Sequence, residues 1–547
     1  MLLILLHSVL LAHFSFDVLF VCKFIILYIL LFAFMNLVIK DAVRQILGRV
    51  ASAIGGFLVI KIITPYLGPL RFGDYSTILK YFAIRSAFAD FGVYVIALKT
   101  LGKMKNNEEL KGSNWEKNVL DGAWNSELAN TYSKFVSTRA VMIGIVYMLA
   151  LVVAYFIPAY TDNPYIIRGL PLGMLFSASF MSAGILQLPL QLFRKMEQLS
   201  IALILARVAQ VGVLVATVYI AYTTVDFSTA SAWSLVPFAL ILCSVLVSGL
   251  AQGAYVYRKG QQYLPLKRSF DRSFTKSIIL WNRQYGLAYY FSSFHTLLVL
   301  MMLWRSYPTI EGYTHVGIWA LALSLIEILL IVPSALGNSL IHKVSALSPE
   351  QMRASFGNLL MLVVRIGCYT IVMFTRFAPH IVSFLGWSAY LSTPANRWSE
   401  AILPFLAIVL TLSFAKQVFN YLFVSTGFQN RLLSINLIGV VIGLIVGVPL
   451  IRSHGLQGGV ITQLVLEICF LAGSIIVAYR SKTLPILPRK KLLCVVGCTA
   501  VWFVLVPEQF LDRMIDTPLL RMSCALVITG IITLLSLRRI KQFARGL

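Results

Sequence analysis

Apolar segments long enough to cross a bilayer recur along this chain, separated by short connections. A helical span needs about 20 predominantly apolar residues. From Met35 onward fourteen candidates can be placed, at 45–66, 74–98, 137–158, 169–192, 199–222, 232–256, 278–303, 314–337, 357–377, 400–424, 432–451, 456–479, 491–508 and 518–537. Hydrophobic residues fill 59% of 547 positions and charged residues only 12%, against about 25% charged in a soluble domain. The expected fold is therefore an all-α polytopic membrane protein. The net charge of +25 does not indicate nucleic acid as a partner, because the cations are dispersed among short loops and no RNA- or DNA-binding motif is present. Cys22, Cys243, Cys368, Cys469, Cys494, Cys498 and Cys524 all lie in apolar segments, so a disulfide framework is not expected. Cys494 and Cys498 share a helix face without a His or acidic companion, and neither a metal site nor a cofactor is expected.

The distribution of Lys and Arg tests these spans, since cations collect on the cytoplasmic side. One set of connections holds Lys99, Lys103, Lys105, Lys111, Lys117, Lys134 and Arg139, the clusters at 194–195, 258–276 and 480–491, Lys343, Arg353 and Arg431, and the basic tail at 538–545. The opposite set holds Arg71, Arg168, Arg305, Arg376, Arg397, Arg452, Arg513 and Arg521. The first set is read as cytoplasmic, with the C-terminus beside it. Residues 1–34 disturb this order. They form an extra apolar segment without a small-residue cleavage site, and a start at Met35, or a dispensable peripheral helix, restores the pattern. Two polar connections are long: 99–136 on the cytoplasmic side, and 378–398 outside, with Gly386-Trp387-Ser388-Ala389-Tyr390.

Charged residues also lie within the spans. A cation at mid-bilayer costs about 2.5–3.5 kcal/mol on insertion scales, so each must be sheltered in water or paired. Arg44, Arg49, Arg85, Arg207, Arg283 and Arg365 are the candidates for a cationic cavity, which suits an anionic cargo. In the first span Gln45, Arg49, Ser52 and Gly56 fall on one helical stripe; in the seventh Asn282, Gly286, Tyr289 and Ser293 do the same, with Arg283 beside them. The plainer readings are snorkelling for Arg44, Arg283, Lys61 and Lys416, and pairing of Arg85 or Arg49 with Asp90. Asp90, Glu327 and Glu467 are ion-coupling candidates. For the two glutamates, neutralisation by Arg365 or Lys416 is the alternative. Tyr81, Tyr94, Tyr285, Tyr289, Tyr290 and Trp281 could stack on sugars or simply pack, and His295 reads as packed.

The halves of the chain resemble each other. Gly73-Asp74-Tyr75 opens the second span and Gly317-Ile318-Trp319 the eighth; Leu199-Ser200-Ile201 opens the fifth and Leu433-Ser434-Ile435 the eleventh. Matched spans are six apart, an even number, so the copies are parallel. The expected organisation is an N-terminal segment 1–34, an N-lobe 35–258, a C-lobe 259–480, and two further helices with a basic tail in 481–547.

Three motifs carry a family resemblance. Leu67-Gly68-Pro69-Leu70-Arg71-Phe72-Gly73-Asp74-Tyr75-Ser76 is similar to the first hairpin of polysaccharide-lipid flippases of the O-antigen type, with Asp74 inserted between Gly73 and Tyr75. Ala89-Asp90-Phe91-Gly92 resembles their Asp/Gly-Leu-Gly segment, and Gly455-Leu456-Gln457-Gly458-Gly459 their Gly-x-x-Gly-Ala turn. The wider group is the multidrug/oligosaccharidyl-lipid/polysaccharide exporter superfamily. The resemblance implies two six-helix lobes around a central cavity, alternating access, and a polyprenyl-diphosphate-linked glycan as cargo in the cell's inner membrane. It also implies a polysaccharide polymerase as a partner. Guanidinium suits a diphosphate through its permanent charge and bidentate fork. The competing readings are a lipid II flippase and a cation-coupled multidrug exporter, the latter needing acids deep in the first lobe, where only Asp90 qualifies. An enzyme is disfavoured, because no large extracytoplasmic loop or acidic metal motif is present.

The charge asymmetry yields a direct test. A single cysteine placed at Ser113 should be labelled from the cytoplasmic side and one at Ser228 from the other. Labelling of both from one side would overturn the span assignment.

Overall fold

The computed structural model describes residues 37–110, 126–193, 195–224, 235–267, 269–306, 312–325, 329, 348–386, 398–426 and 428–485. They form helices and their connections, with no strand among the described residues. Helix α1 (Leu37–Asp90) is a two-legged hairpin. It turns at Gly68 (φ 63°, ψ 175°) between Pro65 and Pro69, a conformation that disfavours any residue with a Cβ. Helix α2 (Val93–Leu110) continues the second leg after a break at Phe91 and Gly92, whose φ values are 41° and 74°. The segment read as one span at 74–98 is thus a broken helix. Its break coincides with the Ala89-Asp90-Phe91-Gly92 motif.

Helices α3 (Ser126–Ala154), α4 (Pro164–Leu186), α5 (Met196–Thr224) and α6 (Leu235–Gly260) follow. Then come α7 (Arg272–Ser306), α8 (residues 312–325), α9 (Pro349–Gly386), α10 (Trp398–Thr426) and α11 (Gln429–Arg480). The second hairpin is α11, turning at Gly455 (φ 56°, ψ −128°), inside the glycine-rich motif. Helix α9 bends at Phe377, just before Pro379, where the ring removes a backbone donor.

Eight stretches among the described residues are long and apolar enough to cross a membrane, and two of them, Ala51–Asp90 and Asn430–Arg480, are the hairpins. The protein is a multi-pass membrane protein. Ile145 and Leu149 on α3, Phe156 in the turn after it, Val208 and Tyr219 on α5, and Ile445 on α11 are exposed. On a soluble protein such a surface would be a liability; here it faces lipid. Residues 1–34, Glu327 and the last two expected spans lie outside the described residues.

Two packing groups emerge. In the first, α6 packs on α4 and α5, and α1 packs on α3, α4 and α5. In the second, α7 packs on α11, and α10 packs on both α9 and α11. The first span touches the fifth and the seventh touches the eleventh, as a parallel duplication requires. Small residues set these distances. A β-carbon at Gly48 would run into Ser200, one at Gly439 into Phe470, and one at Gly443 into Leu466. An edge-to-face cluster of Tyr81, Phe82, Tyr147 and Tyr160 fills the first core. Trp319 of α8 is fully buried, and a β-carbon on Gly459 of α11 would lie 3.7 Å from its ring, which sets α8 against the second group.

Gly458 sits within the α11 hairpin, where a β-carbon would collide with the carbonyl of Leu450, which is backbone and cannot rotate away. Gly458→Ala should therefore cost about 1–3 kcal/mol, as overpacking does, and lower the melting temperature in detergent. Gly102→Ala, with open space around it, should not. Equal effects from the two would contradict this packing.

Candidate functional site

The stripe on the first leg of α1 meets α5 face to face. Arg207 lies across it: its Nε donates to Ser52 Oγ at 3.3 Å and its Nη1 to Gln210 Oε1 at 2.7 Å. A β-carbon at Gly55 would sit 2.8 Å from Arg207 Cβ, and one at Gly56 would lie 3.7 Å from Nη2. The glycines are small so that this side chain can lie along the helix. Arg49 stands one turn from Ser52 on the same stripe, half-buried, with the Tyr94 and Tyr421 hydroxyls as its electrostatic neighbours. Tyr94 belongs to the first packing group and Tyr421, on α10, to the second.

Arg85 occupies a different neighbourhood, on the second leg of α1. Its Nη1 donates to the Tyr81 carbonyl at 2.8 Å, and the guanidinium stacks 3.6 Å from the Tyr81 ring centroid. That tyrosine is itself fixed by donating to the Ala150 carbonyl. Across from Arg85's helix, Tyr290 of α7 rests against Phe88 with ring centroids 3.9 Å apart. Arg365 is half-buried on α9 and Arg283 is exposed on α7. Arg44 lies on the backbone of α1, and its side chain is outside the described residues. Arg207 and Arg85 bond to neutral oxygens, so their charge remains uncancelled by a carboxylate among the described residues.

The acids behave oppositely. Asp90 Oδ1 lies 2.9 Å from Arg139 Nη2 on α3, and Arg139 is only 4% exposed. This corrects two expectations. Asp90 does not pair with Arg85 or Arg49, and Arg139 is not a loop-edge cation. Helix α3 begins at Ser126, well before the expected 137, which carries Arg139 into the bundle. The signal was present in sequence: Leu128, Tyr132 and Phe135 are buried at helical spacing in a segment that looks polar overall. Around the pair, Tyr94 donates to Gln191, and Arg139 lies 5.8 Å from the Tyr94 ring.

Glu467 is 1% exposed on the second leg of α11. It is held by Lys416 Nζ of α10 at 3.0 Å to Oε1 and 2.9 Å to Oε2. Lys416, 8% exposed and 5.0 Å from the Phe470 ring, does not snorkel to an interface as its position near a helix end suggested. Its aliphatic stem stays inside because its charge is met there.

A third acid was missed. Asp74, treated as an insertion in the hairpin motif, is fully buried. It accepts from Arg71 Nη1 at 2.9 Å and from Asn163 Nδ2 at 2.8 Å. The Asn163 side-chain oxygen in turn accepts from the backbone N–H groups of Tyr165 and Ile166, capping α4. Arg71 lies 3.5 Å over the Tyr165 ring. At the opposite end of the bundle, Lys134 donates to Asp271 Oδ2 at 2.8 Å, and Asp271, which lies outside the candidate spans, caps α7 through the Phe274 N–H. Those two bonds hold the Asp271 carboxyl below the usual carboxylate range.

The family model of polysaccharide biosynthesis proteins matches residues 38–341 of the chain. Among solved structures, the fold is similar to the lipid II flippase MurJ in an inward closed conformation (TM-score 0.58, 12% identity, 89% of this chain and 97% of that one). It is also similar to an inward-facing multidrug resistance MATE family transporter of the MOP superfamily (TM-score 0.55, 14% identity, 80% and 94%). A MOP superfamily transporter from Pyrococcus furiosus aligns comparably (TM-score 0.55, 12% identity, 81% and 95%). At these identities the likeness concerns the fold. No curated protein sequence matches the chain.

Breaking a buried pair by removing one partner costs about 3–5 kcal/mol, because the other charge is stranded. Arg139→Ala should therefore destabilise strongly, and Asp90→Ala with Arg139→Ala should cost less than the two single changes added. Asp90→Ala should give no rescue of Arg85→Ala. Thermal melts of the purified variants decide; rescue of Arg85→Ala by Asp90→Ala would contradict the pairing.

Proposed function

Since the chain belongs to the polysaccharide biosynthesis protein family, we propose that it is a flippase for a polyprenyl-diphosphate-linked oligosaccharide. The cargo moves from the cytoplasmic to the outer leaflet of the inner membrane by alternating access. The observation that carries this reading is the charge pattern inside the helices. Asp74, Asp90 and Glu467 are each met by a cation, whereas Arg85 and Arg207 are bonded to neutral oxygens. A net positive interior attracts an anionic head and repels cationic drugs. That disfavours a multidrug exporter, whose coupling acids in the first group would have to be open rather than paired.

In this reading 35–258 and 259–480 move as two lobes, with the 99–136 connection and the C-terminus cytoplasmic. Arg49 and Arg207, on one stripe of α1 and α5, hold the diphosphate first, and Arg44 and Arg283 lie on its approach. Arg85 and Arg365 receive it deeper, with Tyr290 beside Arg85 as a surface for sugars. The polar glycan then crosses without meeting lipid. Glu467 is the coupling group we retain among Asp90, Glu327 and Glu467, because a proton reaching it would release the Lys416 charge into the second lobe. Asp90 is committed to holding the helix break. A polysaccharide polymerase is the partner that would consume the delivered glycan. Lipid II offers the same diphosphate head; the O-antigen type is preferred because the matched family is that of polysaccharide biosynthesis.

A hydrogen bond to a charged group is worth about 1.5–3 kcal/mol, roughly ten- to a hundredfold in cargo affinity. Arg49→Ala and Arg207→Ala should each lose transport to that extent at normal protein levels, and Arg→Lys at either should retain part of it. Complementation of cells lacking an O-antigen-type flippase, run beside cells lacking a lipid II flippase, reads this. Full activity of Arg49→Ala and Arg207→Ala would remove both from the cargo path. Complementation of the lipid II strain alone would replace the cargo assignment.

A further inference from the structure

We propose that Gly73 and Gly317 form the outer seal between the two packing groups, and that this seal must part at each transport cycle. The two glycines occupy matched positions in the internal repeat, and in the folded chain they meet. A β-carbon on Gly73 would run into the carbonyl oxygen of Tyr313; one on Gly317 would run into the carbonyl oxygen of Pro69. Tyr313 stands four residues before Gly317, and Pro69 four residues before Gly73. The contact is therefore reciprocal, as at a two-fold axis: each glycine aims a Cα hydrogen at the carbonyl that the other group presents one turn earlier. A β-carbon on Gly317 would also lie 3.0 Å from the Gly73 nitrogen, so backbone touches backbone with no side chain between. Such Cα–H···O contacts are individually weak, at most about 0.5–1 kcal/mol each. A symmetric seal of weak, dry contacts closes tightly yet separates at small cost.

The first half of the seal is held rigidly to its own group. Arg71 and Asn163 grip Asp74, the residue after Gly73, and Asn163 also caps α4. Asp74 is thus a positioning residue that makes the hairpin end of α1 travel with α4. On the other side, Trp319 is fully buried two residues beyond Gly317, and a β-carbon on Gly459 of the α11 hairpin would lie 3.7 Å from its ring. The seal lies at the end of the bundle away from the Lys134–Asp271 pair, the end assigned to the outside.

The inference rests on the transport reading, but its test reads distance rather than transport. Spin labels at Thr161→Cys and Ser453→Cys, both exposed positions near the sealed end on opposite groups, report the separation by double electron–electron resonance. With the native cysteines replaced by serine and the glycines intact, the protein should show a short-distance population. Gly73→Leu should replace it with a longer one, Gly317→Ala should do so in part, and Gly102→Leu, which meets nothing within 4 Å, should leave it unchanged. If Gly73→Leu fails to fold, Gly317→Ala carries the test. An unchanged distance in the folded glycine variants would overturn the seal even if transport is lost. A longer distance in a protein that moves no diphosphate-linked glycan would uphold the seal and sink the cargo assignment instead.

Discussion

Charge neutralisation between helices governs this molecule. An isolated carboxylate or ammonium cannot remain ionised in hydrocarbon at tolerable cost. Asp90 on the broken leg of α1 is met by Arg139 of α3, and Glu467 of α11 by Lys416 of α10. Each of these two buried pairs crosses between helices of one packing group, whereas the partly exposed Lys134–Asp271 pair at the end of the bundle joins α3 to α7. The two buried pairs therefore act as pins inside each bundle. What remains after this cancellation is positive, and it sits where the Tyr81 carbonyl, a serine and a glutamine solvate it. That residue of charge is what the proposed cargo would meet.

Glycine performs the complementary task. Positive φ at Gly68 and Gly455 folds α1 and α11 back on themselves. At Gly55 and Gly56 the missing side chain makes room for Arg207, and at Gly73 and Gly317 it lets the two groups touch directly. The break at Phe91–Gly92 lies where Asp90 is pinned and where α7 comes close, since a β-carbon at Gly286 would lie 2.7 Å from the Phe91 ring. Bundles that meet through backbone at Gly73 and Gly317 and through the Phe88–Tyr290 ring pair, with broken helices beside the contact, are suited to rocking against one another.

Much of this was legible in the sequence. The span pattern, the two hairpin motifs and the repeat linking Gly73 to Gly317 all rest on local composition and short spacing, which survive without coordinates. The pairing of charges was legible only in part. Asp90 had two arginines, Arg85 and Arg49, as its expected partners, and its true partner lay 49 residues later in a segment whose polarity hid its helix. Lys416 was half legible: proximity to a span end suggested snorkelling, but its neutralisation of a glutamate was the alternative reading, and Glu467, 51 residues away, is what it meets. Asp74 looked like a motif irregularity because nothing local reveals that Asn163 reaches it. Sequence shows where a charge lies along a helix, while tertiary packing decides what meets it.

The central claim is that surplus guanidinium charge selects a diphosphate head. The direct measurement is flipping in proteoliposomes of a labelled glycan on a polyprenyl diphosphate, compared with the same glycan and lipid joined by an uncharged linker. The account predicts protein-dependent movement of the diphosphate compound and background movement of the neutral one. Equal movement of both would contradict it.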